Sequence, residues 1–481
     1  MRLSRRAALR AGAASLALPL VDRAAAHPEP FEPLDVLEID GAAEAVVGPD
    51  AVVYVAATTG FVVVDASDPT DLRVLAERRD LLSDRDDGPL DDVHDLKVAG
   101  DTLAVVGPAN SGRPRAMVLY DVSDPANPVV ETVYDTPYPI HNSFLTDTHA
   151  YLTVNDGKRT ELAIVDLTGD DPEEVARWGA ADANPDWADV PAFYRSCHDV
   201  YVQDDVAYVA HWDAGTWLLD VTDPAAPTPI SHVGPYDPAD IVDAPTTEGY
   251  QLPGNHHYAA VNDDASVLAI NHEAWDQNPD DDRDGGPGGI SLYDLTDPAN
   301  PVQVATIPAP PTPDPSYAGV WTTSHNFELS GDRLYTSWYQ GGVKLFDVSD
   351  PQSPAELAWW RDPETAAFWT ARTAPDCFVA SSTPLVTDDT TGALYTFPDH
   401  PGQQPNPPTL TETTTRDTTT RTTTTRTTAT PTTTTTTHDE TTNATDTTSG
   451  ETPGFGALTT LLGATGAAAA LAHLRDREPK D

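Results

Sequence analysis

The sequence predicts an all-β protein, a seven-bladed propeller of four-stranded blades with six blades as the alternative, and three observations predict it. One phrase, an apolar run ending in Asp and followed by Ser/Thr-Asp-Pro, recurs six times between the chain ends. Each recurrence closes a unit holding four short runs rich in β-branched and aromatic residues, bounded by Asp, Gly and Pro. No stretch of useful length in that region places its apolar residues at the 3.6-residue period of a helix.

The phrase reads Val64-Asp65-Ala66-Ser67-Asp68-Pro69, then Tyr120-Asp121-Val122-Ser123-Asp124-Pro125, then Val165-Asp166-Leu167-Thr168 with Asp171-Pro172. It returns as Leu219-Asp220-Val221-Thr222-Asp223-Pro224, Tyr293-Asp294-Leu295-Thr296-Asp297-Pro298 and Phe346-Asp347-Val348-Ser349-Asp350-Pro351. The Asp-Pro pairs are 56, 47, 52, 74 and 53 residues apart, a period that belongs to arrays and propellers. The fourth unit shows the four strands most plainly: Asp199-Val200-Tyr201-Val202, Ala207-Tyr208-Val209-Ala210, Thr216-Trp217-Leu218-Leu219-Asp220 and Pro229-Ile230-Ser231-His232-Val233. Asp and Ser bond their own backbone and Pro fixes φ, so the phrase is an architectural turn between third and fourth strands. A degenerate seventh blade takes strands at 368–372, 377–381 and 392–397, and 34–39 supplies the missing fourth, which closes the ring without an open sheet edge.

This pattern resembles the LVIVD-repeat family of surface β-propellers, over residues 34–398. The resemblance implies a repeat of two strands, then Leu-x-Ile/Val-x-Asp-Val-Ser-Asp-Pro, then a last strand.

The two ends read as addresses. Ser4-Arg5-Arg6-Ala7-Ala8-Leu9-Arg10, an Ala/Leu-rich stretch and Ala24-Ala25-Ala26 resemble a twin-arginine signal peptide over residues 1–26, which exports folded proteins. Residues 399–452 are rich in Pro and then Thr, too polar to bury apolar area, and read as a disordered stalk with O-glycan acceptors and an N-glycan sequon at Asn443. Residues 453–481 hold Pro453-Gly454-Phe455, an apolar run of about 18 residues and basic Arg475 and Arg477. That order resembles the archaeal PGF-CTERM sorting signal, which implies replacement of the helix by a lipid. The alternative is a plain transmembrane anchor. Either way the expected place is the cell surface, tethered to the cytoplasmic membrane at the S-layer, with a monomeric propeller held above it.

Charge narrows the partners. With 27 Lys+Arg against 76 Asp+Glu, the net charge is −49, which excludes a binder of nucleic-acid backbones. Only four lysines occur, at 97, 158, 344 and 480. A surface of short carboxylates stays hydrated where salt screens its self-repulsion, the expectation for an extreme halophile. Cys197 and Cys377 are too few for a disulfide framework and lack metal-type spacing.

A second register carries the candidate chemistry. Ten residues before the second-strand residues Ala104, Tyr151, Tyr208 and Tyr335 stand His94, His141, His198 and His325. A one-residue-longer turn brings in His256, and Tyr54 points back to Glu44. All six fall at the start of a first strand, the innermost one, so they converge on the axial channel. Imidazoles and a carboxylate there are ligands for a transition metal such as Cu or Zn, with Asp95, Asn142, Asp199 and Asn326 behind them or capping turns. The competing expectation is that each His bonds a neighbouring blade's backbone as a repeated packing element. The ends of the second strands lie on the same face and vary between blades: His211, Trp212, Asp213, His272, Glu273, Trp275, Trp338 and Tyr339 form a candidate partner face. Asp280, Asp282 and Asp284 make a fragment of a Ca²⁺ loop, without Glu at its twelfth position.

No nucleophile elbow, Walker loop or H-E-x-x-H is present. The expectation is a binding or structural module, not an enzyme, presenting its channel mouth to an extracellular ligand or surface protein. The alternative is a metal-dependent oxidoreductase or hydrolase using the channel histidines, by architectural analogy with seven-bladed copper-dependent thiol oxidases.

Overall fold

The computed structural model describes residues 29–157, 160–277, 285–387 and 390–410. The two end segments, the Asp280, Asp282 and Asp284 loop and Asn443 lie outside these residues.

Seven four-stranded antiparallel sheets form seven blades. Blade 1 runs Ala42–Val47, Val52–Ala57, Gly60–Asp65 and Arg73–Arg78. Blade 4 runs Asp199–Gln203, Val206–Ala210, Thr216–Asp220 and Thr228–Val233, within one residue of the runs read from the sequence. Blades 2, 3, 5 and 6 repeat the order, with first strands Asp95–Ala99, Ile140–Leu145, His256–Val261 and Phe327–Ser330. Blade 7 takes Phe368–Ala374, Cys377–Ser382 and Ala393–Pro398 from the end of the domain and its outermost strand, Asp35–Glu38, from the beginning. The pairing is antiparallel, Asp35 opposite Thr396 and Glu38 opposite Ala393, so the blade count is seven and the ring is latched by its own first strand.

Each first strand touches the first strands of both neighbouring blades, and the contacts run from blade 1 around to blade 7 and back. The sheets are therefore radial, with their first strands lining one axis. Strands two and three are buried almost throughout, because each sheet is covered on both faces by its neighbours; Val53, Val55, Val63 and Val64 of blade 1 are fully buried. Fourth strands alternate with solvent, and Val74, Val129 and Val302 on them are exposed.

The recurring turn acts locally. The Asp65, Asp121, Asp166, Asp220, Asp294 and Asp347 carboxylates each accept the backbone N–H two residues on, at 2.7–2.9 Å. In five repeats the Asp before Pro does the same one step later. All of this lies on one face of the disc. The opposite face carries the long connections, including short helical turns at Ala180–Ala183, Pro185–Asp189, Ala192–Arg195, Pro238–Ile241 and Thr246–Tyr250.

Candidate metal centre

The first strands begin on the face with the long connections, and their opening residues set up the upper layer of the channel. His94, His141, His198, His257, His325 and Trp369, one from each of blades 2 to 7, form a closed ring of aromatic side chains. Successive ring centroids are 6.3, 4.6, 4.1, 4.3 and 4.2 Å apart, with 5.8 Å from Trp369 back to His94. Four of the five predicted histidines converge as expected. His256 does not. The hairpin that joins the first two strands is two residues longer in blade 5, where Ala260 pairs with Ala269, than in blades 3 and 4, where Phe144 pairs with Tyr151 and Tyr201 with Tyr208, so the residue in the matching place is His257. His257 takes the place in the ring, while His256 faces the wall between blades 4 and 5, 2.9 Å from the Thr216 hydroxyl and edge-on to His272 at 4.7 Å.

Glu44 also belongs elsewhere. One residue further along the strands the side chains form a second, deeper layer. There Glu44 accepts from Arg372 at 2.9 Å and from the Asn326 amide at 2.9 Å. Asp95 bonds Lys97 and accepts from Ser143 at 2.6 Å, and the Asn142 amide donates to the His198 carbonyl at 2.8 Å. Asp95, Asn142, Asp199 and Asn326 thus stitch blades together beneath the ring, as buried polar groups must when water is excluded. Burial drives Asp199 well above the usual carboxylate range and raises Asp95.

The ring histidines have defined faces. His141 Nδ1 lies 3.1 Å from the Ala109 carbonyl, His198 Nδ1 3.2 Å from the His257 carbonyl and His325 Nδ1 2.5 Å from the Trp369 carbonyl. A carbonyl only accepts, so each of these imidazoles carries its proton on Nδ1 and keeps the Nε2 lone pair. The backbone bonding expected of a packing element is therefore present, and it fixes the tautomer that a metal takes. Burial lowers His141 to about 4 and His325 to about 3, and holds His198 and His257 well below the imidazole range, reinforced in the last two by neighbouring imidazoles. All are neutral bases at neutral pH.

A carboxylate completes the set. One ligand atom each from His198, His257 and Glu273 lies within 4.8 Å of the others, and all three side chains are buried. His257 Nε2 is 3.6 Å from Glu273 Oε2, and the Tyr339 hydroxyl donates to Oε1. Burial raises the Glu273 carboxyl to about 8, opposed by the Tyr339 bond. Separations of this size fit ligands about 2 Å from a shared ion, and two imidazoles with one carboxylate are a donor set for Zn, Fe or Cu. Sequence reasoning put Glu273 on the partner face, and the structure places it beside His198 and His257.

The proposed partner face is not exposed. His211, Asp213, His272, Glu273, Trp275, Trp338 and Tyr339 are buried and Trp212 is half-buried. The long connections cover them: Ala214 donates to the Tyr194 carbonyl, Trp275 to that of Tyr250, and Asp276 to that of Pro315. Trp212 stacks on His198 at 5.7 Å and meets Phe193 edge-on, and Tyr339 lies 4.8 Å from His325. The signal for these covers was the 74-residue spacing before the fifth Asp-Pro, longer than any other. Trp212 and Tyr339 have positive φ, 42° and 46°, but Thr58 has 40° at the same place in blade 1. Each bridges to the next blade at or just before its first strand, Thr58 to Val93, Trp212 to His256 and Tyr339 to Phe368, so this backbone is a joint between blades.

The model of the LVIVD repeat matches residues 43–77 and 194–233, in blades 1 and 4. No curated protein matches the chain. Among solved structures, the β-propeller domain of Cps50 (Swd1) from Myceliophteria thermophila is 10% identical, with a TM-score of 0.51 over 77% of this chain and 99% of that one. A hypothetical selenium-binding protein from Sulfolobus tokodaii is 12% identical, with a TM-score of 0.49 over 74% and 93%. Likeness at this identity reports the propeller fold alone.

Proposed function

We propose that the chain is an exported binding module whose channel mouth holds a transition metal through His198, His257 and Glu273. The observation that carries this reading is the convergence of those three donors in one buried spot, with neutral imidazoles facing a carboxyl that burial leaves without charge compensation. A divalent cation would supply that compensation and draw the carboxyl back to its ionised form. Tyr339 orients Glu273, and the His198 Nδ1 bond orients its imidazole, the role outer partners play around ligands. The twin-arginine-like start and the Thr-rich, Pro-Gly-Phe end support a place outside the membrane, tethered to it.

Metal analysis of the purified folded protein, refolded with Cu, Zn or Fe in turn, tests the reading. Near-stoichiometric retention of one of them is expected, with tenfold or greater loss of affinity in His257→Ala and in Glu273→Gln, and little change in His256→Ala. Protein that retains no metal after each refolding sinks it. A metal-dependent enzyme is the second reading, favoured by one feature: a two-His, one-carboxylate set leaves coordination positions for a substrate.

A further inference from the structure

The channel has a second mouth, on the Asp-Pro face, beneath the layer that holds Glu44 and Asp95. The closing residues of the first strands of all seven blades ring a cavity of 380 Å³ there, within the range of small-molecule sites. Its walls are aromatic on one side: Phe144 meets Tyr201 edge-on at 5.2 Å, and Tyr258 stands beside them. Its polar groups have both signs. Lys97 and Arg372 have their heads tied to Asp95 and Glu44, while Glu328, bonded to the backbone beside Arg372, and Asp263 add carboxylates to the lining.

These groups keep bonding capacity. Arg372 donates to the Phe327 carbonyl, to Glu44 and, at 3.5 Å, to the Tyr258 hydroxyl, which places its guanidinium at the aromatic wall. Among the described residues, Glu328 accepts the Thr373 N–H at 2.8 Å on one oxygen. Lys97 and Arg372 are already paired with Asp95 and Glu44, so an anion would meet the carboxylates of Glu328 and Asp263. A ligand that donates and accepts at several points, and has an apolar face for the rings, would satisfy every group at once.

We propose that this mouth binds a neutral carbohydrate of one or two rings, its hydroxyls between Arg372 and Glu328 and its C–H face on Phe144 and Tyr201. The site stands apart from the metal centre and does not depend on it. The test is titration of the folded protein, in molar salt and after chelation, with glucose, galactose, mannose, maltose and cellobiose, read by calorimetry and saturation-transfer NMR. Saturable binding of at least one sugar is expected, unaffected by chelator. It should weaken tenfold or more in Phe144→Ala and in Glu328→Gln, a conservative change that keeps an acceptor for Thr373 and so decides the matter if the first variant misfolds. No saturable binding across the panel overturns the proposal. So does preferential binding of glycine betaine or of inorganic phosphate, or sugar binding unchanged in a folded Glu328→Gln.

Discussion

His211 precedes Trp212, which stacks on His198, and illustrates what burial does to a single group. Its Nδ1 donates to the Arg195 carbonyl at 3.1 Å, its Nε2 is buried without a partner among the described residues, and burial lowers it to about 4. Because the folded group holds its proton less tightly than the unfolded one at 6.5, its stabilising share is complete above pH 6.5 and is lost as pH falls through about 4. The share is on the order of 3 kcal/mol. Denaturant unfolding at a series of pH values should show this slope, and His211→Asn, which keeps a donor for Arg195, should flatten it. An unchanged slope would show that His211 is not a source of acid lability. The residue scale is also where sequence reading failed. His256 and His257 are adjacent, and counting back from the second strand assumes a hairpin of known length. The first hairpin of blade 5 is two residues longer than those of blades 2, 3, 4 and 6, with Ala260 opposite Ala269 where Tyr201 stands opposite Tyr208, so a count that allows for one extra residue misses His257. Glu44 failed for a related reason: it occupies the alternate layer, where Arg372, distant in sequence, neutralises it.

At the scale of strands and turns, local chemistry repeats and was legible. The Asp-Ser/Thr-Asp-Pro phrase fixed where third strands end, and its carboxylate-to-amide bonds occur in all six units. Replacing Asp347 by Ala removes an acceptor for both the N–H and the hydroxyl of Ser349. Chemical denaturation should record a measurably lower midpoint for Asp347→Ala, and a similar fall for Asp121→Ala. The double variant should give the sum, since the two turns share no partners; a clearly larger loss would mean that the turns are coupled around the ring. What was not legible is how the long connections fold over the channel. Their residues carry no period, and their burial of Trp275, Glu273 and Tyr339 depends on contacts such as Trp275 with Trp321 at 4.7 Å, between segments far apart in the chain.

For the molecule as a whole, a net charge of −49 opposes compactness unless it is screened. At molar ionic strength the Debye length is about 3 Å, short enough to quench repulsion between separated surface carboxylates. Thermal unfolding midpoints should therefore rise steeply from dilute buffer to molar salt. A midpoint that stays level would remove the basis for reading the acidic surface as an adaptation to brine. The radial plan itself was legible because repetition at one period with an incomplete last unit has few solutions, and residues 34–39 were the only unclaimed strand-like run near the domain's start. Their pairing with Ala393–Pro398 sets an order of events in the cell. The stretch that finishes the disc is synthesised first and must wait, unmatched, until nearly four hundred residues have left the ribosome. A transport machine that threads polypeptides while they are still being made would separate those two partners on opposite sides of the bilayer, whereas one that accepts finished cargo carries them across together.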